Sequence, residues 1–196
     1  MNTRNFFASL FLTFFLFLIG SVFSKTALAA PRLYLDPASL TVAKNSELEI
    51  KVNIDVEANS AFGADLVLNY PGNDIVFKSL AGGGFFPSVS FANDVNGRLE
   101  IHAFFPNLYE SKSGSETLAT IKFTSKKEDG SGNISFVCSA DGSNTQILNT
   151  NGENILFCGV LNQSNLTFVP AGTGGASPVT TVGEPNKCGG TCGSNY

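Results

Sequence analysis

From residue 32 to residue 169 the apolar positions recur every second residue, in short stretches separated by turn residues. The clearest stretch is Leu48, Ile50, Val52, Ile54 and Val56, interleaved with Glu49, Lys51, Asn53, Asp55 and Glu57. Successive side chains of a strand point to opposite faces, so this is a strand with one face on a core. Its polar face is expected in water, because five polar groups without partners are too costly to bury. A second half-buried strand is expected from Phe62 to Tyr70. Phe62, Ala64, Leu66, Leu68 and Tyr70 lie on its inner side, and Gly63, Asp65, Val67 and Asn69 on its outer side. Pro71-Gly72-Asn73-Asp74 ends it, since proline fixes φ, glycine tolerates positive φ, and Asn and Asp bond to nearby backbone. A short strand, Ile75 to Phe77, follows.

The same pattern predicts strands at Arg32–Leu35 (an edge strand ended by Asp36-Pro37), Val89–Ala92, Arg98–Phe105, Thr117–Ser125, Asn133–Ser139, Ile155–Phe157 and Leu166–Val169. Asn96-Gly97 reads as a hairpin turn before Arg98. Leu80 to Pro87, with Gly82-Gly83-Gly84, reads as a flexible loop. Turn signals come every eight to twelve residues or so, and no segment has a helical period, which describes an all-β antiparallel sandwich or barrel.

The two ends of the chain differ from this middle. Phe6 to Phe23 is a run of 18 residues without a charge, preceded by Arg4 and followed by Ala27 and Ala29 in a small-x-small arrangement. These are the three parts of a secretory signal peptide, with cleavage expected after Ala29. Uncleaved, the same run is just long enough to anchor in a bilayer. From Pro170 the composition turns to Gly, Thr, Ser, Val and Pro, so residues 170–187 read as an extended linker. Cys188 and Cys192 then open a cysteine-rich tail (188–196) that the chain does not complete. The core-bearing domain is thus expected over residues 30–169.

Charge narrows the partners. Without residues 1–29 the chain loses Arg4 and Lys25 and no acid, leaving ten basic against sixteen acidic residues. Nucleic acids and anionic lipids are recognised by clustered Lys and Arg. The only basic cluster, Lys126-Lys127, runs directly into Glu128-Asp129. Nucleic acid is excluded on this ground, and membrane contact is expected only through the leader. Export implies an oxidising compartment, in which a Cys138–Cys158 disulfide would close a loop of about 20 residues worth roughly 3 kcal/mol.

Candidate chemistry is sparse. The single histidine, His102, alternates with Leu99, Ile101 and Ala103 and shares the outer side with Arg98 and Glu100. A lone histidine does not make a transition-metal site, and no Gly-x-Ser-x-Gly elbow accompanies it. Asn149-Thr-Asn151-Gly152-Glu153 has one carboxylate and an early glycine, so it reads as a turn rather than a calcium loop. Asn133, Asn162 and Asn165 open Asn-x-Ser/Thr sequons, which mark surface loops if the host glycosylates them. Eighteen phenylalanines and no tryptophan disfavour a flat sugar-binding platform, for which Tyr34, Tyr70, Tyr109 and Tyr196 are available and Phe85, Phe86, Phe104 and Phe105 are weaker substitutes. No catalytic residue, cofactor or metal site is assigned.

The order of five segments carries a resemblance. Val42-x-x-Asn-Ser-Glu-Leu-Glu-Ile-Lys-Val-Asn-Ile-Asp leads to Phe62-Gly-Ala-Asp-Leu-Val-Leu-Asn-Tyr-Pro. Asn96-Gly-Arg-Leu-Glu-Ile, Glu116-Thr-Leu-Ala-Thr-Ile-Lys-Phe and Ile147-Leu-Asn-Thr-Asn-Gly-Glu-Asn-Ile follow. Over residues 32–169 the chain resembles a cohesin module, the β-sandwich that binds dockerin modules in bacterial cellulosomes and on cell surfaces. The resemblance implies a nine-stranded jelly-roll sandwich, similar to the folds of some carbohydrate-binding modules, that docks its partner on the face of one sheet. Asp65 matches the aspartate that the family offers to the dockerin. Gly63 stands where the family has an asparagine, and Tyr70-Pro71-Gly72 replaces Tyr-Asp-Pro. The binding face is expected to use Asp65, Val67 and Asn69, with Arg98, Glu100 and His102 on a second strand. The function so implied is a secreted, non-catalytic attachment module for a dockerin-like protein at the cell surface. The alternatives are a carbohydrate-binding module supporting polysaccharide breakdown and a structural stalk domain.

Overall fold

The computed structural model describes residues 30–94, 97–107, 109–139 and 144–172. The expected leader, Asn96, nearly all of the linker, and the tail with Cys188 and Cys192 lie outside them. Among the described residues no helix is long and apolar enough to cross a membrane.

Eleven strands form two facing sheets. They are β1 (Arg32–Asp36), β2 (Ser39–Ala43), β3 (Glu47–Asp55), β4 (Gly63–Asn69), β5 (Ile75–Gly82), β6 (Ser88–Asp94), β7 (Arg98–Phe104), β8 (Ser115–Ser125), β9 (Ser131–Phe136), β10 (Gln146–Leu148) and β11 (Gln163–Val169). One sheet runs β1-β3-β8-β5. The other runs β2-β11-β9-β4-β7-β6, with the short β10 paired to β4 beside β9. The all-β sandwich is as the alternation predicts, with two strands more than the nine the resemblance implies. One pair, β2 with β11, is parallel, so the sandwich is not purely antiparallel.

The core lies between the sheets, where the inner rows meet. Ile50, Val52 and Ile54 of β3, with Ile121 and Phe123 of β8 beside them in the same sheet, share one fully buried cluster with Leu66 and Leu68 of β4 and Leu99 and Ile101 of β7 in the other sheet. On β8 the alternation breaks: Leu118 and Ala119 are adjacent and both buried. A bulge in the β3–β8 ladder between Val52 and Asn53 resets the parity. Pairing across the bulge keeps hydrophobic residues inward on both sides of it.

Several expectations need correction. Asp55 is not in water: it is buried, with Oδ2 accepting from Arg32 Nη2 at 3.0 Å and Oδ1 accepting from the Glu57 amide at 3.2 Å. The strand after the Pro71 turn does not stop at Phe77. A bulge between Phe77 and Ser79 lets β5 continue along β8 to Gly82. The glycine loop is packed rather than loose, for Gly83 donates its amide to Leu118 O at 2.8 Å. A Cβ on Gly83 would sit 2.0 Å from Thr117 O. This close approach brings Phe85 and Phe86 into the core, 1% exposed each, so neither can stack on a sugar. Tyr70 is likewise buried, against Phe123 at 5.1 Å between centroids. Ile155–Phe157 is not a strand: Asn154 Oδ1 accepts the amides of Ile147 and Leu156, turning the chain after a single bridge to Leu148. It then enters a helical turn at Cys158–Val160.

The Cys138–Cys158 disulfide is formed as expected. Asn162, in one of the three sequons, is committed to the fold: its amide bridges the backbone N–H and C=O of Leu35 at 2.6 and 2.9 Å. Asn133 and Asn165 are exposed.

Candidate functional site: the outer face of β4 and β7

β4 and β7 pair antiparallel in a register that sets Asp65 opposite His102, Val67 opposite Glu100 and Asn69 opposite Arg98. Directly opposed residues of such a pair point to the same side. The six residues expected at the binding face therefore share one face, on the side of the sheet away from the core. β6 extends the rows, with Ser88 opposite Phe104, Ser90 opposite His102 and Ala92 opposite Glu100. Their short side chains keep the face flat at this edge.

Two hydrogen-bonded side-chain pairs organise it. His102 donates from Nδ1 to Asp65 Oδ1 at 2.7 Å. Gln146 of β10 donates from Nε2 to Asp65 Oδ2, also at 2.7 Å. Asp65 is thus braced from both flanking strands, and each carboxylate oxygen keeps a second acceptor site. With Nδ1–H given to the carboxylate, His102 Nε2 accepts in the neutral ring and donates in the imidazolium. One row along, Arg98 Nε donates to Glu100 Oε1 at 2.9 Å. The side chains of all four are between 36% and 49% exposed. They are ordered without being withdrawn from solvent, as suits hydrogen-bond groups at a rim.

Val67 departs from the expected role. It faces outward by parity, yet it is only 6% exposed. The chain after β9 folds against this point of β4. Val137 donates its amide to Val67 O at 2.7 Å, and Thr145 Oγ1 accepts from Val67 N–H at 3.1 Å while donating to Val137 O at 2.7 Å. Val67 supports the face and is not a contact residue of it. Asn69 is exposed.

Sequence reasoning missed Gln146, whose role depends on a three-residue strand, and did not connect His102 with Asp65. It also left out of the face Phe104, opposite Gly63 and 40% exposed. A Cβ on Gly63 would approach Ala103 O at 3.3 Å and Phe104 Cβ at 3.5 Å. Phe104 is thus the cross-strand neighbour of the position at which the resemblance implies an asparagine.

Asp65, His102 and Ser90 lie in one row across three strands, the residue types of an acylating triad. That chemistry also needs an enclosed substrate site and donors aimed at the developing oxyanion. Here the row lies on an open, flat face. Among the described residues no group of three or more His, Cys, Asp or Glu is placed to hold a metal ion.

A scan against protein-family models and a search among curated proteins find no match to this sequence. Solved structures do match. A non-cellulosomal cohesin from the archaeon Archaeoglobus fulgidus superposes with a TM-score of 0.56 at 14% identity, covering 72% of this chain and 92% of that one. The sixth cohesin of scaffoldin B from Acetivibrio cellulolyticus, solved in complex with a dockerin, gives 0.59 at 10% identity, covering 71% and 99%. A cohesin module from a Clostridium perfringens family 33 glycoside hydrolase gives 0.57 at 10% identity, covering 72% and 98%. At such identities the likeness speaks for architecture. The two-sheet domain of this chain has the cohesin fold.

Proposed function

We propose that the domain is a non-catalytic attachment module, exported through residues 1–29, that captures a dockerin-type protein on the outer face of β4 and β7. The observation that carries this reading is the register that gathers Asp65, Asn69, Arg98, Glu100 and His102 on one flat, half-exposed surface. It is supported by the cohesin fold and by a structural neighbour that is itself in complex with a dockerin. A standard interface takes about 800 Å² from each partner, an area such a face can supply. Asp65, His102 and Gln146 provide directional acceptors and donors, and Phe104 provides an aromatic anchor at the end of the rows. Attachment outside the cell is the reading that the expected leader and the disulfide support.

The test is calorimetric titration of purified dockerin modules of both cellulosomal types into the full chain and into a doubly substituted Asp65→Ala, His102→Ala chain. Binding of at least one dockerin by the parent, weakened about tenfold or more in the variant (about 1.4 kcal/mol), is the expected result. No binding in the whole panel, or equal binding by both chains, contradicts the proposal.

A further inference from the structure

One end of the sandwich carries a pocket that the attachment face does not use. Its volume is about 630 Å³, within the usual range for small-ligand sites. Phe62 and Leu148 line it where β4 begins and β10 ends, and two turns form its walls.

The first turn runs from Asn149 to Glu153. Asn149 Oδ1 accepts the amides of Asn151 and Glu153, both at 2.9 Å, and Asn149 Nδ2 donates to Glu153 Oε2 at 2.9 Å. The second turn carries Tyr109. Asn107 Oδ1 accepts the Tyr109 amide at 3.2 Å, and Asn107 Nδ2 donates to Glu110 Oε1 at 3.2 Å. Asn107 and Asn149 thus tie backbone amides of their own turns.

What these turns display is unusual. Tyr109 is 94% exposed, so its ring adds almost nothing to the folded core. On the facing turn, the hydroxyl of Thr150 and the side-chain amide of Asn151 make no hydrogen bond among the described residues. An amphipathic ring lining the same pocket as an unoccupied amide and hydroxyl matches the two surfaces of a sugar. The C–H face of a pyranose packs on an aromatic ring, and a carboxamide both donates to and accepts from adjacent hydroxyls. Glu110 and Glu153, exposed acids of the same two turns, disfavour an anionic sugar nearby.

We propose that this pocket binds a neutral pyranose unit of a glycan, stacked on Tyr109 and hydrogen-bonded by Asn151 and Thr150. The site adjoins the Phe104 end of the attachment face, since Leu148 and Phe104 both pair with Gly63, but it shares no residue with that face. A domain so built could hold a protein on one sheet and a saccharide at one end.

The chain has no tryptophan and four tyrosines, so tyrosine emission reports on stacking at Tyr109. Neutral oligosaccharides built on glucose, xylose, mannose or N-acetylglucosamine, and an oligogalacturonate, are titrated into the full chain by fluorescence and calorimetry. At least one neutral series should bind, with the uronate weaker by about tenfold or more. Tyr109→Ala should lower that affinity about tenfold or more, while Tyr109→Phe should keep it within roughly threefold, because the stacking ring remains. Asn151→Ala should also weaken it, and Asp65→Ala should leave it unchanged. Failure of every neutral sugar to bind, binding insensitive to Tyr109→Ala, or a preference for the uronate overturns the proposal. Loss of dockerin capture in Tyr109→Ala without any sugar binding would make the patch a protein contact and overturn it equally.

Discussion

Asp65 has two roles that its exposure helps to separate. It accepts hydrogen bonds from His102 and Gln146, but all three stand at the surface, where such pairs stabilise a fold by about 0–1 kcal/mol. Asp65→Ala should therefore shift the melting temperature by no more than a few degrees while reducing dockerin capture. A large loss of stability would make Asp65 a structural residue instead. Thr145 is the opposite case: fully buried, its hydroxyl joins Val67 and Val137. Thr145→Val keeps the shape but strands these backbone groups, and should cost about 1–3 kcal/mol in urea unfolding. At this scale the sequence shows which way a side chain points but not what covers it. The parity of Phe62–Tyr70 and Arg98–Phe104 is local information, and it puts Asp65, Asn69, Arg98, Glu100 and His102 on the outer side, as the register has them. Val137 and Thr145, some seventy residues away, bond the backbone of Val67, which is 6% exposed, and no local pattern records either fact.

The strands themselves were legible wherever alternation ran for five residues or more. β3, β4, β7 and β8 all lie where the pattern predicts. β10 has three residues, and β2 (Ser-Leu-Thr-Val-Ala) is recognisable mainly through its parallel partner β11, so neither has a strong signal of its own. Ile155–Phe157 fits the strand pattern, but Asn154 diverts it by accepting two amides, a tertiary override of propensity. The glycine run was misread because glycine serves close approach as well as flexibility. Gly83→Ala places a methyl group against Thr117 O and should destabilise the domain by about 1–3 kcal/mol, measured by thermal or urea unfolding. The Cys138–Cys158 link spans 20 residues between the end of β9 and the helical turn. Replacing both cysteines with alanine should cost roughly 3 kcal/mol. If unfolding of that variant matches the parent, the link adds nothing to the fold.

For the molecule as a whole, a two-layered scaffold with apolar residues between its sheets leaves only outer faces and loop ends for recognition. The outer side of β1-β3-β8-β5 mixes acids, lysines and threonines, with Glu49 and Lys122 paired across it at 3.8 Å. The outer side of β4 and β7 is distinguished by braced groups and the exposed Phe104, and this is why attachment is proposed there. The most direct measurement is a map of backbone amide shifts in the full, isotope-labelled chain on adding a dockerin module that binds it. The account predicts that shifts concentrate on β4, β7 and β6, with the largest around Asp65, His102 and Phe104. Shifts confined to β1, β3, β8 and β5, or to the Tyr109 end alone, would contradict it.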